Sequence, residues 1–357
     1  MSNWMEGWQR PLSLLACEQC ENLFLRPEET AVARCPICGE AELTGLDSQE
    51  DKPAYTQPPE LVVPFRLSPV DAARPLAEFA RSFWFTPADL TPERLAARLQ
   101  KLYLPLWLVD ARVQAVWSAE AGFNYQVISH RELYSGDRWQ TEEVEETRIR
   151  WEQRVGRLQK VYHNQTAPAL EREAALRPQL GSYELPEARP YTPELLDDSL
   201  AHLPNRPPED AWTEAAVGLQ RRVMADCQKA GQADHWREFH WTPVYADQHW
   251  TQLLRPVYAS YYLDDDQQPH PLLLHGQTGK LHGRRRASMK RARQTALIIG
   301  AIAGLLLVLS LLLGIGGLFE ELLLVAATIL LILAVGTAVI ALLPPLLVWQ
   351  FNRRASG

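Results

Sequence analysis

From Ala296 to Leu318 the chain reads ALIIGAIAGLLLVLSLLLGIGGL without a charged residue, and after Phe319-Glu320-Glu321 a second apolar run extends from Leu322 to Trp349. About 20 helical residues cross the roughly 30 Å hydrocarbon core of a bilayer, and each run is long enough. Lipid offers no partners for unpaired backbone groups, so two runs joined by so short a turn read as a hairpin of helices over 296–318 and 322–343. Pro344-Pro345 is expected to end or kink the second helix. Trp349 is then expected near the cytoplasmic interface, where amphipathic rings sit. Gly300 and Gly304 form a Gly-x-x-x-Gly pair that would let another helix approach closely and give a route to homo-oligomers, although chance in so Gly-rich a helix explains it as well.

The flanks orient the hairpin. Arg284, Arg285, Arg286, Lys290, Arg291 and Arg293 precede it and Arg353 and Arg354 follow it, whereas the turn carries two glutamates. By the positive-inside rule both ends face the cytoplasm, and the six cations before the hairpin are the expected contact with anionic membrane lipids. Of a net charge of −7, residues 284–293 contribute +6, the turn −2 and the tail +2, so residues 1–283 carry −13. That acidity argues against phosphate-backbone binding as the main task of the soluble part. Leu14-Leu15-Ala16-Cys17 has the look of a lipoprotein box, but Glu6, Arg10 and Pro11 precede it where an apolar run is needed, so the soluble part is expected to stay cytoplasmic.

Four of the five cysteines fall in two pairs, Cys17-Glu18-Gln19-Cys20 and, fourteen residues later, Cys35-Pro36-Ile37-Cys38-Gly39. Two Cys-x-x-Cys knuckles complete a tetrahedral set for Zn2+, and with all four positions filled by Cys17, Cys20, Cys35 and Cys38 the ion is expected to be structural. A redox dithiol, a disulfide pair and an iron site compete. A cytoplasmic location disfavours the disulfide, and no βαβ pattern accompanies the motif.

Between ribbon and hairpin, Leu61-Val62-Val63-Pro64-Phe65 reads as a strand, and Ser68-Pro69-Val70-Asp71 and Thr91-Pro92-Glu93 as capped helix starts, the second helix with Leu95, Leu99 and Leu102 on its apolar face. Leu102–Ala111 continuing to Trp117, and Leu253–Tyr262, read as buried strands entered through proline; a distant internal duplication would explain the likeness, but strand propensities alone produce similar words. Thr147–Trp151 reads as a strand, with Val155-Gly156-Arg157 the turn to a partner at Leu158–Tyr162. A short helical piece is expected at Pro193–Leu200. A longer helix is expected from Pro208 to near Gly231, with Trp212, Leu219, Val223 and Cys227 inward.

Other clusters read as structural. Gly276-Gln277-Thr278-Gly279-Lys280 lacks the spacing and the Ser or Thr of a phosphate loop and reads as a turn. Six of nine histidines lie between His235 and His282, but the pairs are five apart, an odd separation that sends strand side chains to opposite faces. Glu142-Glu143 and Glu145-Glu146 read as solvated, and no triad order can be argued, so no enzyme is expected.

The ordered set of words from Cys17 to Lys290 resembles a family of bacterial membrane proteins with a TFIIB-type zinc ribbon at the N-terminus. The words are the cysteine pairs, Val63-Pro64-Phe65, Leu102–Ala111, Trp151–Gly156, Tyr191–Leu196, the strand at Pro256 and Gly276–Lys280. The chain departs from the family at Glu21, Tyr258 and His275. Some members are labelled primosomal or helicase-like, a label unsupported here because no Walker motif is present. The resemblance implies a poorly characterised role, with some members looking like membrane partners that recruit a flotillin-like SPFH protein in envelope stress.

The expected architecture is α+β. A zinc ribbon occupies 1–46, a linker 47–60, a cytoplasmic domain with an antiparallel sheet 61–283, a basic juxtamembrane segment 284–295, the hairpin 296–349 and a cytoplasmic tail 350–357. The expected protein is a multi-pass bacterial inner-membrane scaffold that brings protein partners to the membrane. The alternative is a membrane-tethered nucleic-acid binder working through the ribbon.

Overall fold

The structure, a computed structural model, describes residues 4–28, 34–47, 53, 55–316 and 320–354. Positions 48–52 and 54 of the expected linker, and 317–319 of the hairpin turn, lie outside the described residues. In chain order the elements are β1 (Leu12–Cys17), β2 (Leu23–Pro27), β3 (Leu43–Gly45), β4 (Leu61–Val62), α1 (Pro69–Arg81), α2 (Pro92–Ala97), β5 (Gln100–Ser135), β6 (Arg138–Ala167) and α3 (Glu173–Leu180). There follow β7 (Arg189–Pro190), β8 (Leu200–His202), α4 (Pro208–Gly231), β9 (His235–Leu263), β10 (Pro269–His275), β11 (Leu281–Gly283), α5 (Met289–Gly316), α6 (Glu321–Ala341) and α7 (Leu343–Arg354). The class is mixed α+β.

Two compact units divide the chain. The first comprises Met1–Pro105, Ala174–Leu203 and Leu254–Gly357. Its strands follow the order β11-β10-β9-β5-β8-β2-β1-β3; β1 pairs antiparallel with β2 and β3, β2 with β8, and β10 with β9 and β11, whereas β5 and β8 are parallel, with Leu102 level with Leu200. The cysteine-bearing hairpin is therefore no separate module ending at 46. β2 pairs with β8 through Phe24 to His202 and Leu25 to Ala201, and Leu12, Leu14 and Leu25 share one core with Tyr103, Leu203 and Leu254. The physical reason is that β1 and β2 expose an apolar face too large for so short a ribbon to cover, and joining a larger sheet removes it from water.

Local chemistry shapes the helices of this unit. Ser68 caps α1 by accepting from the Asp71 N–H while Asp71 reaches back to the Ser68 N–H, which satisfies donors that the first turn leaves open. Thr91 caps α2, but that helix stops at Ala97 instead of carrying Leu99 and Leu102 on its face. Arg98, just past its end, is held by the Asp89 carboxylate and donates to the Tyr261 carbonyl, and β5 begins at Gln100. The piece expected at Pro193–Leu200 is a single 3-10 turn, Pro193–Leu195, because Leu200 enters β8.

The second unit comprises Leu106–Glu173 and Pro204–Leu253. Its main feature is the hairpin of β5 and β6, paired without interruption from Ala111 with Tyr162 to Ser135 with Arg138. The expected turn at Val155-Gly156-Arg157 does not exist. The chain reverses at Gly136 and Asp137, whose φ values of 60 and 67 match the twist of a two-residue hairpin turn. Gly156 instead lies opposite Trp117, and a Cβ there would sit 2.7 Å from the indole. Helix α4 buries Ala211, Ala215, Leu219, Val223 and Cys227, with Trp212 half-buried beside them, against Ala111, Val113 and Tyr162.

At the C-terminus α5 and α6 pack as a hairpin in which Ser310 donates to the Ala327 carbonyl at 2.7 Å. Both are long and apolar enough to cross a membrane, and only 11% of each apolar window is buried. A Cβ placed on Gly300 or Gly304 would meet nothing within 4 Å, so this small-residue face is not used within the hairpin. The helix breaks between Ala341 and Leu343, where Pro344 and Pro345 offer no N–H to continue it.

Candidate metal centre

The cysteine site is built from two turns of the same shape. In the first, the Glu21 N–H donates to the Cys17 carbonyl at 2.8 Å; in the second, the Gly39 N–H donates to the Cys35 carbonyl at 2.9 Å. Each turn ends on a left-handed residue, Glu21 with φ 55 and Gly39 with φ 71. This conformation turns both thiols of a Cys-x-x-Cys pair to one side. Glycine is favoured at the second turn on two counts, because a Cβ on Gly39 would also lie 3.2 Å from the Cβ of Pro269.

The four sulfurs lie within 4.8 Å of one another, with Cys17 to Cys38 and Cys20 to Cys35 each at 3.6 Å. A tetrahedral Zn2+ with sulfur at about 2.3 Å demands edges of about 3.8 Å, so the donor set fits a tetrahedral ion. Cys17 and Cys35 are buried and Cys20 and Cys38 half-buried, and four thiolates would fill all four positions of a tetrahedral ion. Hydrogen bonding from the Cys35 thiol pulls Cys20 down to about 5, and the Asn22 amide adds a contact to its Sγ at 3.1 Å. Burial pushes Cys17 up to about 11. A lowered pKa at one sulfur of such a cluster favours a bound cation, since metal ligation requires the deprotonated thiol. Asn22 was not legible as a site residue, since nothing in its spacing marks it.

The expected lipid-contacting cations are not equivalent. Arg284, Arg285, Lys290, Arg291 and Arg293 are exposed and Arg286 is half-buried. The Arg285 guanidinium lies over the Phe79 ring at 5.2 Å, and Arg291 donates to the Thr86 hydroxyl at 3.3 Å. The Tyr262 hydroxyl donates to the Arg284 carbonyl and accepts from the Arg286 N–H, which fixes the backbone of this segment at the start of α5.

The remaining clusters are structural. His275 stacks on Tyr183 with centroids 3.8 Å apart. Its Nε2 faces the Ser182 carbonyl, and its Nδ1 accepts from the N–H groups of Gln277 and Thr278. It is thus a neutral ring bracing the Gly276–Lys280 turn, and burial lowers its pKa. Gly279 takes φ 73 there, as expected of a turn. His270 binds Asp264 at 2.9 Å and His235 binds Asn124 at 3.0 Å. Cys227 is buried, which raises its pKa. Glu142, Glu143, Glu145 and Glu146 are exposed along β6.

Comparison of the chain with protein-family models, with curated proteins and with solved structures finds no match.

Proposed function

We propose that the protein is a membrane-anchored cytoplasmic scaffold in which a Zn2+-stapled, acidic soluble part is presented to protein partners at the membrane face. The observation that carries this reading is the exposure of α5 and α6. Helices so apolar yet so little covered by the rest of the chain are stable in lipid and a liability in water. Bound by Cys17, Cys20, Cys35 and Cys38, Zn2+ would supply cross-linking and no open Lewis-acid position.

Partner contact is assigned to the β5–β6 arm. Asn124 of β5 meets the start of β9 through Asp234 and His235. Beyond it the two strands run on to the Gly136-Asp137 turn, roughly 35–40 Å at about 3.4 Å per residue. Side chains along this stretch are exposed on both faces, among them Tyr125, Ile128, Tyr134 and Trp139. A two-stranded ribbon is marginal alone, and edges of this kind accept another strand or sheet. A flotillin-like SPFH protein is the specific candidate.

The test is affinity capture from solubilised membranes of tagged full-length protein beside a variant in which residues 126–147 are replaced by a two-residue turn. The reading expects one membrane-associated protein enriched with the full chain and lost with the shortened arm. Equal recovery from both, or enrichment of nucleic acid in place of protein, contradicts it.

A further inference from the structure

Between α1 and α2 the chain reads Ser82-Phe83-Trp84-Phe85-Thr86, three consecutive aromatics in a connecting segment. Phe83 and Phe85 are half-buried, whereas Trp84 is 82% exposed. The segment is pinned to the ends of the apolar helices. The Ser288 N–H donates to the Phe85 carbonyl, Arg291 reaches the Thr86 hydroxyl, and Phe83 stacks on Phe351 of α7 at 5.7 Å with the planes 18° apart. Asn352 ties α7 to the same place, accepting from the Ala287 N–H at 2.9 Å and donating to its carbonyl at 3.0 Å. Phe85 has φ 55, a conformation a bulky residue adopts only where its surroundings hold it.

Loop and helix enclose a groove of about 440 Å³ lined by Phe83, Trp84, Phe85, Val348, Phe351 and Arg354. We propose that this groove holds an anionic phospholipid of the adjoining leaflet, its acyl chain against the aromatic rings and its phosphate at Arg354, with Trp84 seated at the interface. The inference rests on reading α5 and α6 as membrane-spanning. Its occupant follows from position and charge. α7 continues from α6 after a single residue, Leu342, so a groove lined by α7 residues lies at the end of the apolar hairpin. Exposed tryptophan is favoured at headgroup depth. The cations nearby, Arg354 in the groove, Arg353 over the Trp349 ring at 5.4 Å and the Arg284–Arg293 segment, share one sign and favour an anionic headgroup.

The experiment uses full-length protein in nanodiscs carrying a fixed fraction of phospholipid brominated on the acyl chain, a short-range quencher of indole emission. Emission that Trp84→Phe removes reports on Trp84, and emission that Trp349→Phe removes reports on the hairpin. The expected result is quenching of both, with brominated phosphatidylglycerol in phosphatidylcholine discs quenching Trp84 more than brominated phosphatidylcholine in phosphatidylglycerol discs. Arg354→Gln is expected to erase that preference, about a fivefold loss for one charge near the surface. Quenching of Trp349 without Trp84 overturns this inference and leaves the hairpin standing, and quenching of neither overturns both. Equal quenching by the two lipids overturns the assignment of an anionic headgroup to Arg354.

Discussion

At Glu21 the backbone asks for glycine and the sequence does not supply it. The left-handed conformation costs a residue with a Cβ about 1 kcal/mol, and Glu21 adopts it at the first cysteine turn while Gly39 does so at the second. Glu21→Gly is therefore expected to stabilise the metal-loaded protein by about 1 kcal/mol, read as a raised denaturation midpoint in detergent; an unchanged or lowered midpoint would show that the Glu21 side chain contributes more than its backbone costs. His202 supplies a pH dependence. It is fully enclosed against Phe24, and burial pulls its pKa down to about 4 despite the bond to the Leu203 carbonyl. Between pH about 6.5 and about 4 the unfolded chain holds a proton there that the folded chain lacks, so stability falls as pH falls through that window, by about 3 kcal/mol in all. Comparing unfolding of the parent and of His202→Gln at several pH values isolates this share. Parallel curves would contradict it.

At the scale of elements, the sequence was legible where one rule acted alone. The caps of α1 and α2, the span of α4 and the two apolar helices follow from local chemistry and period, and the structure has them at those places. The β5–β6 hairpin departs from its sequence pattern at Gly156, which has the look of a turn residue and lies in mid-strand. Its purpose lies across the strand: Trp117 faces Gly156 and Gly122 faces Trp151, each ring covering the bare backbone opposite. The repeated Trp-x-x-x-x-Gly spacing in both strands places the centre of the hairpin between Gly136 and Asp137, and that was the available signal. The turn itself was hidden because Gly-Asp reverses the order usual in such loops. Gly156→Ala is expected to cost about 1–3 kcal/mol through overpacking against the indole, while Asp137→Gly, at φ 67, is expected to be neutral or stabilising. The reverse ranking in denaturation midpoints would restore the original turn. Of the candidate site, the four cysteines were readable from spacing, while Asn22 and the groove beside Trp84 depend on contacts between segments distant in sequence and were not.

For the whole molecule, the proposed metal site is tied to the sheet. Because β1 and β2 belong to the sheet and core of the first unit, loss of metal should not be confined to a detachable ribbon. Chelation is expected to loosen β1–β3 and expose Trp8, now fully buried in that core, giving a red shift of its emission that Trp8→Phe abolishes. Metal-free protein with unchanged emission would mean that the sheet holds the cysteine turns unaided. The chain is acidic over residues 1–283 and basic just before α5, and the proposed division between partner contact and lipid contact works only if everything outside the hairpin shares one side of the membrane. That shared side is measured by protease protection of doubly end-tagged protein in intact spheroplasts and in inverted membrane vesicles. The expected result is that both tags are lost in inverted vesicles and retained in spheroplasts. Loss of either tag in spheroplasts, or release of the protein from membranes by alkaline carbonate, would contradict the account.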